Sequence, residues 1–80
     1  MGRRSSLDIC ADILRVALDG ARKTRIVYQA NLNFTILHKY MRRLMENGFL
    51  TQIEGPHFIT TEKGCQFLEQ YRNLIVPLKG

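Results

Sequence analysis

Apolar side chains recur at helical spacing over Leu7–Leu18, where Leu7, Cys10, Leu14 and Ala17 form one stripe and Ile9, Ile13 and Val16 widen it. Ser5 followed by Asp8 has the form of a capping box with the shorter acid in place of Glu. Gly20, after Asp19, stands where a left-handed residue would stop the helix. A short basic connection, Ala21-Arg22-Lys23, follows, and Thr24 is read as the cap of a brief second helix over Arg25–Ala30 with Ile26, Val27 and Ala30 inward. Asn31-Leu32-Asn33 interrupts it, because Asn favours turns and caps over helix interiors. Asn33 is placed to cap a third helix over Phe34–Glu46, closed by Asn47-Gly48. Its apolar face is Phe34, Leu37, Tyr40, Met41, Leu44 and Met45. Its outer face is Thr35, Lys39, Arg42 and Glu46, with His38 and Arg43 at the margins.

The pattern then changes to two extended stretches, Phe49–Glu54 and His57–Thr60, with Gly55-Pro56 supplying a tight turn between them. Thr61 caps a last helix that carries Cys65, Leu68, Arg72 and Ile75 on one side and Phe67, Tyr71 and Leu74 on another, ended by Pro77. The order helix, helix, helix, hairpin, helix predicts a mainly α fold with a small β-hairpin, the winged form of the helix-turn-helix. The expected domain spans 6–76, between a basic flexible tail at 1–5 and a C-terminal tail at 77–80.

Eighty residues suffice for one small domain, and 45% apolar with 24% charged residues is ordinary globular composition. No apolar run approaches the roughly 20 residues of a membrane span, and no signal peptide precedes the first amphipathic pattern. A cytoplasmic protein with no membrane contact is therefore expected. Cys10 and Cys65 fall on apolar helix faces and are read as buried reduced thiols, the competing reading being that they pair. With His38 and His57 they do not have the spacing of a zinc site. No paired carboxylates, activated nucleophile or Gly-rich phosphate loop is present, so neither an enzyme nor a cofactor is expected.

Charge is informative here through its position. The net charge is +5, and the stretch from Gly20 to Met45 holds Arg22, Lys23, Arg25, Lys39, Arg42 and Arg43 with no acid, all seven acids lying outside it. Such segregation points to a surface that faces phosphate. At roughly 100° per residue, Thr35, Lys39 and Arg42 fall within about 60° of one another. An α-helix with polar donors on that face and an apolar back can enter the major groove of DNA. Thr35 is expected near the bases, Lys39 and Arg42 at bases or phosphates, and Arg43 at phosphate. Arg22, Lys23 and Arg25, at the entry to the second helix, are expected at the DNA backbone, as is Asn33 beside its capping role. Tyr28 is read as a half-buried core tyrosine, the competing role being a phosphate contact. His38 is read as a surface residue, and Glu46 as the edge of the footprint. The hairpin tip, Glu54-Gly55-Pro56-His57, has no Lys or Arg.

The stretch Lys23-Thr24-Arg25-Ile26-Val27-Tyr28-Gln29-Ala30-Asn31-Leu32-Asn33, with Tyr40, Leu44, Asn47-Gly48 and Thr61-Glu62-Lys63-Gly64, resembles the small archaeal winged helix-turn-helix DNA-binding proteins. These are typified by the ten-kilodalton-class chromatin proteins of Sulfolobus and related archaeal regulators, and the likeness covers roughly Ser6 to Leu74. It implies double-stranded DNA as partner, a nucleoid-associated location, a regulatory or chromatin role, and a homodimer. Dimers of the chromatin type form through a long C-terminal helix. With Pro77 close to the end, a shorter contact through Phe67, Tyr71 and Leu74 is expected here, the competing reading being that these complete the monomer core. A winged-helix adaptor that binds protein without touching DNA is the alternative function.

Overall fold

Ser5 opens the first helix, α1 (Ser6–Val16): its hydroxyl accepts the Asp8 N–H and the Asp8 carboxylate accepts the Ser5 N–H, each at 3.1 Å. Both halves of the anticipated capping box are thus formed. The computed structural model describes residues 4–79. After α1 come β1 (Ala21–Arg22), α2 (Lys23–Gln29), α3 (Phe34–Glu46), β2 (Leu50–Gln52), β3 (His57–Thr60) and α4 (Glu62–Lys79). The strands form one antiparallel sheet in the order β1-β3-β2, with Arg22 opposite His57, Ala21 opposite Phe58 and Leu50 opposite Thr60.

The connection read as a basic loop is therefore a strand, and it moves the start of α2. Extended Ala21-Arg22 pairs with β3 and delivers the chain straight into a helix at Lys23, so Arg22, not Thr24, is the cap residue, and it makes no side-chain capping bond. At the other end Asn31 takes the left-handed conformation at φ 57°, and the Leu32 N–H reaches back to the Val27 carbonyl at 2.9 Å. That reversal is the turn of the helix-turn-helix. The Asn33 side chain then accepts the Ile36 N–H at 2.8 Å, which starts α3 at the anticipated residue. Gly48, at φ 79°, closes α3 by the same device, with the Phe49 N–H on the Leu44 carbonyl at 2.8 Å.

The core lies where α1, α2, α3 and the sheet meet, around Ile13, Leu14, Ile26, Leu37, Tyr40, Met41, Leu44, Leu50 and Phe58. Thr60 is buried among them. Its hydroxyl donates to the Leu14 carbonyl at 2.7 Å, which the end of α1 leaves open, and its N–H joins that of Gly20 on the Ala17 carbonyl, at 3.0 Å. No buried side-chain nitrogen or oxygen among the described residues lacks a hydrogen-bond partner.

Several expected burials do not occur. Phe34 and Met45, on the apolar stripe of α3, are exposed because they sit in its first and last turns, at the margins of the stripe whose middle is covered. Tyr28 is 88 % exposed rather than half-buried. Cys65 is exposed and Cys10 only partly buried, and both are free thiols. Along α4 the inward line runs through Gly64, Phe67, Leu68, Tyr71 and Ile75, which turns Cys65 outward. Pro77 does not end α4 but lies within it. In the last turn its missing N–H forfeits a single bond, to a residue, Asn73, that is exposed to water.

The expected tail at 1–5 is likewise part of the domain from Arg4 onward. Arg4 donates to the Asp12 carboxylate at 2.9 Å, to the Ala30 carbonyl at 2.7 Å and to the Asn31 carbonyl at 3.0 Å, tying the turn before α3 to α1. Gly2 and Arg3 of that tail, and Gly80 at the other end, lie outside the described residues.

Candidate nucleic-acid interface

The outer face of α3 has the composition its periodicity anticipates. Thr35, His38, Lys39, Arg42, Arg43 and Glu46 line one shallow open depression along it, and all six are exposed. His38 and Arg42 also border a second groove, which they share with Lys23 from the start of α2 and Gln52 from β2. Lys23 and Gln52 in turn line a third, with Arg22, Thr24 and Pro56. Because each groove shares residues with the next, the surface runs unbroken from α3 to the turn end of the hairpin. Arg22, Lys23, Lys39, Arg42 and Arg43 are thereby brought onto one side of the molecule.

Arg25 and Asn33 are placed differently. The Arg25 guanidinium turns to the Gly20 carbonyl at 3.5 Å and lines none of these grooves. Asn33 uses its side-chain oxygen to cap α3. Arg43 stands at the α1 edge of the depression, close enough to Cys10 for its charge to favour the thiolate. Burial outweighs that effect and raises the Cys10 pKa above its ordinary value.

Among the described residues the cations on this side have no ion-pair partner, and Glu46 is the one acid lining the three grooves. The ion pairs among the described residues join Asp12 to Arg4 and Arg15, and none involves a cation between Arg22 and Arg43. Lys23 instead holds its ammonium 5.7 Å from the Phe58 ring centre, and Lys39 lies 5.8 Å from that of Tyr40. Both contacts are attractive and leave the positive charge outward. Unpaired like charges gathered on one face create a field that attracts a polyanion.

The hairpin adds little charge at its tip, where Gln52 Nε2 donates to the Gly55 carbonyl at 2.8 Å and the His57 ring lies 3.3 Å from the Glu54 carbonyl. The cation beside it comes from β1, where Arg22 is paired with His57. Gln52, which borders two of the grooves, is absent from the sequence-based set. A two-strand pattern does not say which outward residue faces α2. Phe34 was assigned to the core and is found instead beside His38, with ring centres 6.0 Å apart.

The three residues expected to form a dimer contact divide. Phe67 packs on the core with its ring centre 5.4 Å from that of Phe49, and Tyr71 stacks on Phe67 while its hydroxyl donates to the Asp8 carboxylate. Leu74 remains 63 % exposed. Among the described residues no group of three or more His, Cys, Asp or Glu could hold a metal ion, and no helix is long and apolar enough to cross a membrane.

Similarity to known proteins follows the same outline. Residues 3–78 match the winged helix-turn-helix family. An uncharacterized protein of Methanocaldococcus jannaschii is 39% identical over 63 residues, which is 78% of this chain and 64% of that protein, so the chain spans somewhat under two thirds of its relative. Among solved structures, the crystal structure of Sso10a-2, a DNA-binding protein from Sulfolobus solfataricus, superposes with a TM-score of 0.84 at 28% identity, covering 95% of this chain and 83% of that one. With its four helices, three-stranded sheet and family match over nearly its whole length, this chain belongs to the winged helix-turn-helix family.

Proposed function

We propose that the protein binds double-stranded DNA, with α3 entering the major groove. The observation that carries this reading is the continuous surface, from α3 to the turn end of the hairpin, of cations without ion-pair partners among the described residues. Thr35 stands in the first turn of α3, where recognition helices meet base edges. Lys39 and Arg42 follow one and two turns later, within reach of bases or phosphates. Arg22 and Lys23 lie across the gap toward the hairpin and take the DNA backbone on that flank, while Arg43 takes it on the α1 side. Arg25 and the Asn33 amide are the outer phosphate contacts. The DNA-binding character of Sso10a-2 supports the assignment.

In this reading the protein is a transcriptional regulator or small chromatin protein acting on the nucleoid in the cytoplasm, with no catalytic step. We further propose that it works as a homodimer through α4, where Leu74 and Leu78 are exposed one turn apart. Tyr71 and Phe67 lie on the same face of α4, one and two turns before Leu74, where Phe67 packs on the core.

The test is a salt titration of binding to a generic duplex, together with the solution mass. Each phosphate neutralised contributes about −0.9 to the log–log slope, so a dimer with about three contacts per subunit gives a slope of roughly −5. A slope near zero, or no binding at low salt, would overturn the DNA assignment in favour of a protein adaptor. Competition with duplex RNA separates the nucleic acids, since the RNA major groove is too narrow for α3.

A further inference from the structure

Phe34 opens α3 with 46 % of its surface in water. Leaving so large an apolar ring exposed forgoes the stabilisation that burial would bring. It does not lie on an apolar patch: the neighbouring ring is His38, which borders both the α3 depression and the groove toward Gln52. Thr35, next in the chain and also exposed, carries a methyl beside its hydroxyl. Two apolar groups thus project from the first turn of α3, beside a depression whose other members, His38, Lys39, Arg42, Arg43 and Glu46, are all polar or charged.

Resting on the DNA reading above, we infer that Phe34 and the Thr35 methyl contact the C5-methyl groups of thymine in the major groove, giving the protein a preference for thymine at the positions the first turn covers. The groove edge of thymine offers one acceptor and one methyl, and an apolar side chain is the partner that methyl takes. Cations that hold phosphate carry no sequence information. Lys39 and Arg42 can pair with guanine but gain nothing from a methyl group. His38 joins the ring to the depression that holds Lys39, Arg42 and Arg43, whose charges have no ion-pair partner among the described residues and match a polyanion rather than the apolar face of a protein, which commits the ring to DNA.

The experiment uses the intact chain and two probes: an alternating adenine–thymine duplex, and the same duplex with deoxyuridine in place of every thymine. The exchange removes the methyl groups and keeps every base-pairing and groove hydrogen-bonding atom. The expected result is about fourfold weaker binding to the uracil duplex for each methyl buried. Phe34→Ala is expected to bind the two duplexes much more nearly alike, its affinity for the thymine duplex having fallen, while Phe34→Leu keeps part of the preference. Equal binding of both duplexes by the unaltered protein, or full discrimination retained in Phe34→Ala, would overturn the inference and leave DNA binding intact. Binding to neither duplex would overturn both.

Discussion

Gly64 lies against the backbone of Phe49: a Cβ at position 64 would overlap the Phe49 carbonyl oxygen and stand 2.6 Å from the Thr60 methyl. The approach is drawn tight by Thr61, whose N–H donates to the Phe49 carbonyl at 3.0 Å and whose hydroxyl donates to the Gly48 carbonyl at 2.6 Å while accepting the Gly64 N–H at 3.1 Å. The start of α4 is thereby fastened to the turn that ends α3. Gly64→Ala must push that backbone apart, and a cost of about 1–3 kcal/mol is expected from such overpacking. Thermal or urea unfolding of the variant measures it, and an unchanged midpoint would contradict the close fit.

Arg4 fastens the other side of the recognition element. One guanidinium serves two carbonyls at the end of α2 and the Asp12 carboxylate. Because the group is partly exposed, the expected loss in Arg4→Ala is only about 1 kcal/mol after screening. Arg4→Lys should recover less than half of it, since an ammonium lacks the planar fork. Urea midpoints of the two variants decide this, and full rescue by Lys would reduce the contact to simple charge.

Arg42 borders two of the three linked grooves, whereas Arg72 lies on α4 beside Arg15 and Leu18, in a separate groove. Arg42→Ala is expected to weaken DNA binding and to flatten the log–log salt slope by about 1 per subunit, or about 2 for the proposed dimer, if the guanidinium meets phosphate. If it meets a base instead, affinity falls by about 1–3 kcal/mol with sequence preference relaxed. Arg72→Ala is expected to leave binding unchanged. Fluorescence anisotropy at several salt concentrations distinguishes these, and equal losses from the two variants would indicate diffuse attraction with no defined face.

Tyr71 links stability to alkaline pH. Its hydroxyl donates to the Asp8 carboxylate, and that bond, followed by desolvation and the negative charge of Asp8, raises its pKa. A raised pKa means that the folded state holds the proton more tightly. The contribution is then complete below the ordinary tyrosine value of about 10 and is lost as pH climbs through the higher folded value. The stability advantage of the natural protein over Tyr71→Phe should stay level from neutral pH to about 9 and shrink above about 10. Paired urea titrations across that range supply the check, and a difference that stayed flat or widened would exclude the bond as the cause.

Legibility in the sequence followed the strength of local signals. α3 could be bounded to the residue because Asn33 supplies its first capping bond and Asn47-Gly48 its stop, with a sharply two-sided face between. β1 could not, since two residues leave no alternation to read and its partner lies far along the chain. The cations at 22 and 23 were recognisable as a group by their segregation from acids, but their meeting with Gln52 depends on that unreadable pairing. On α4 the inward line begins at a glycine, so hydrophobicity pointed to Cys65 instead. Phe34 marks a further limit. A helical wheel locates an apolar stripe but does not say where along its length the covering elements end.

The pairing of Arg22 with His57 also makes the hairpin and the entrance to α2 a single piece. In the proposed DNA complex the offset between Arg22 and the α3 cations is thus a property of the fold, as the spacing of two teeth is of a key, and only phosphates at a matching offset meet both.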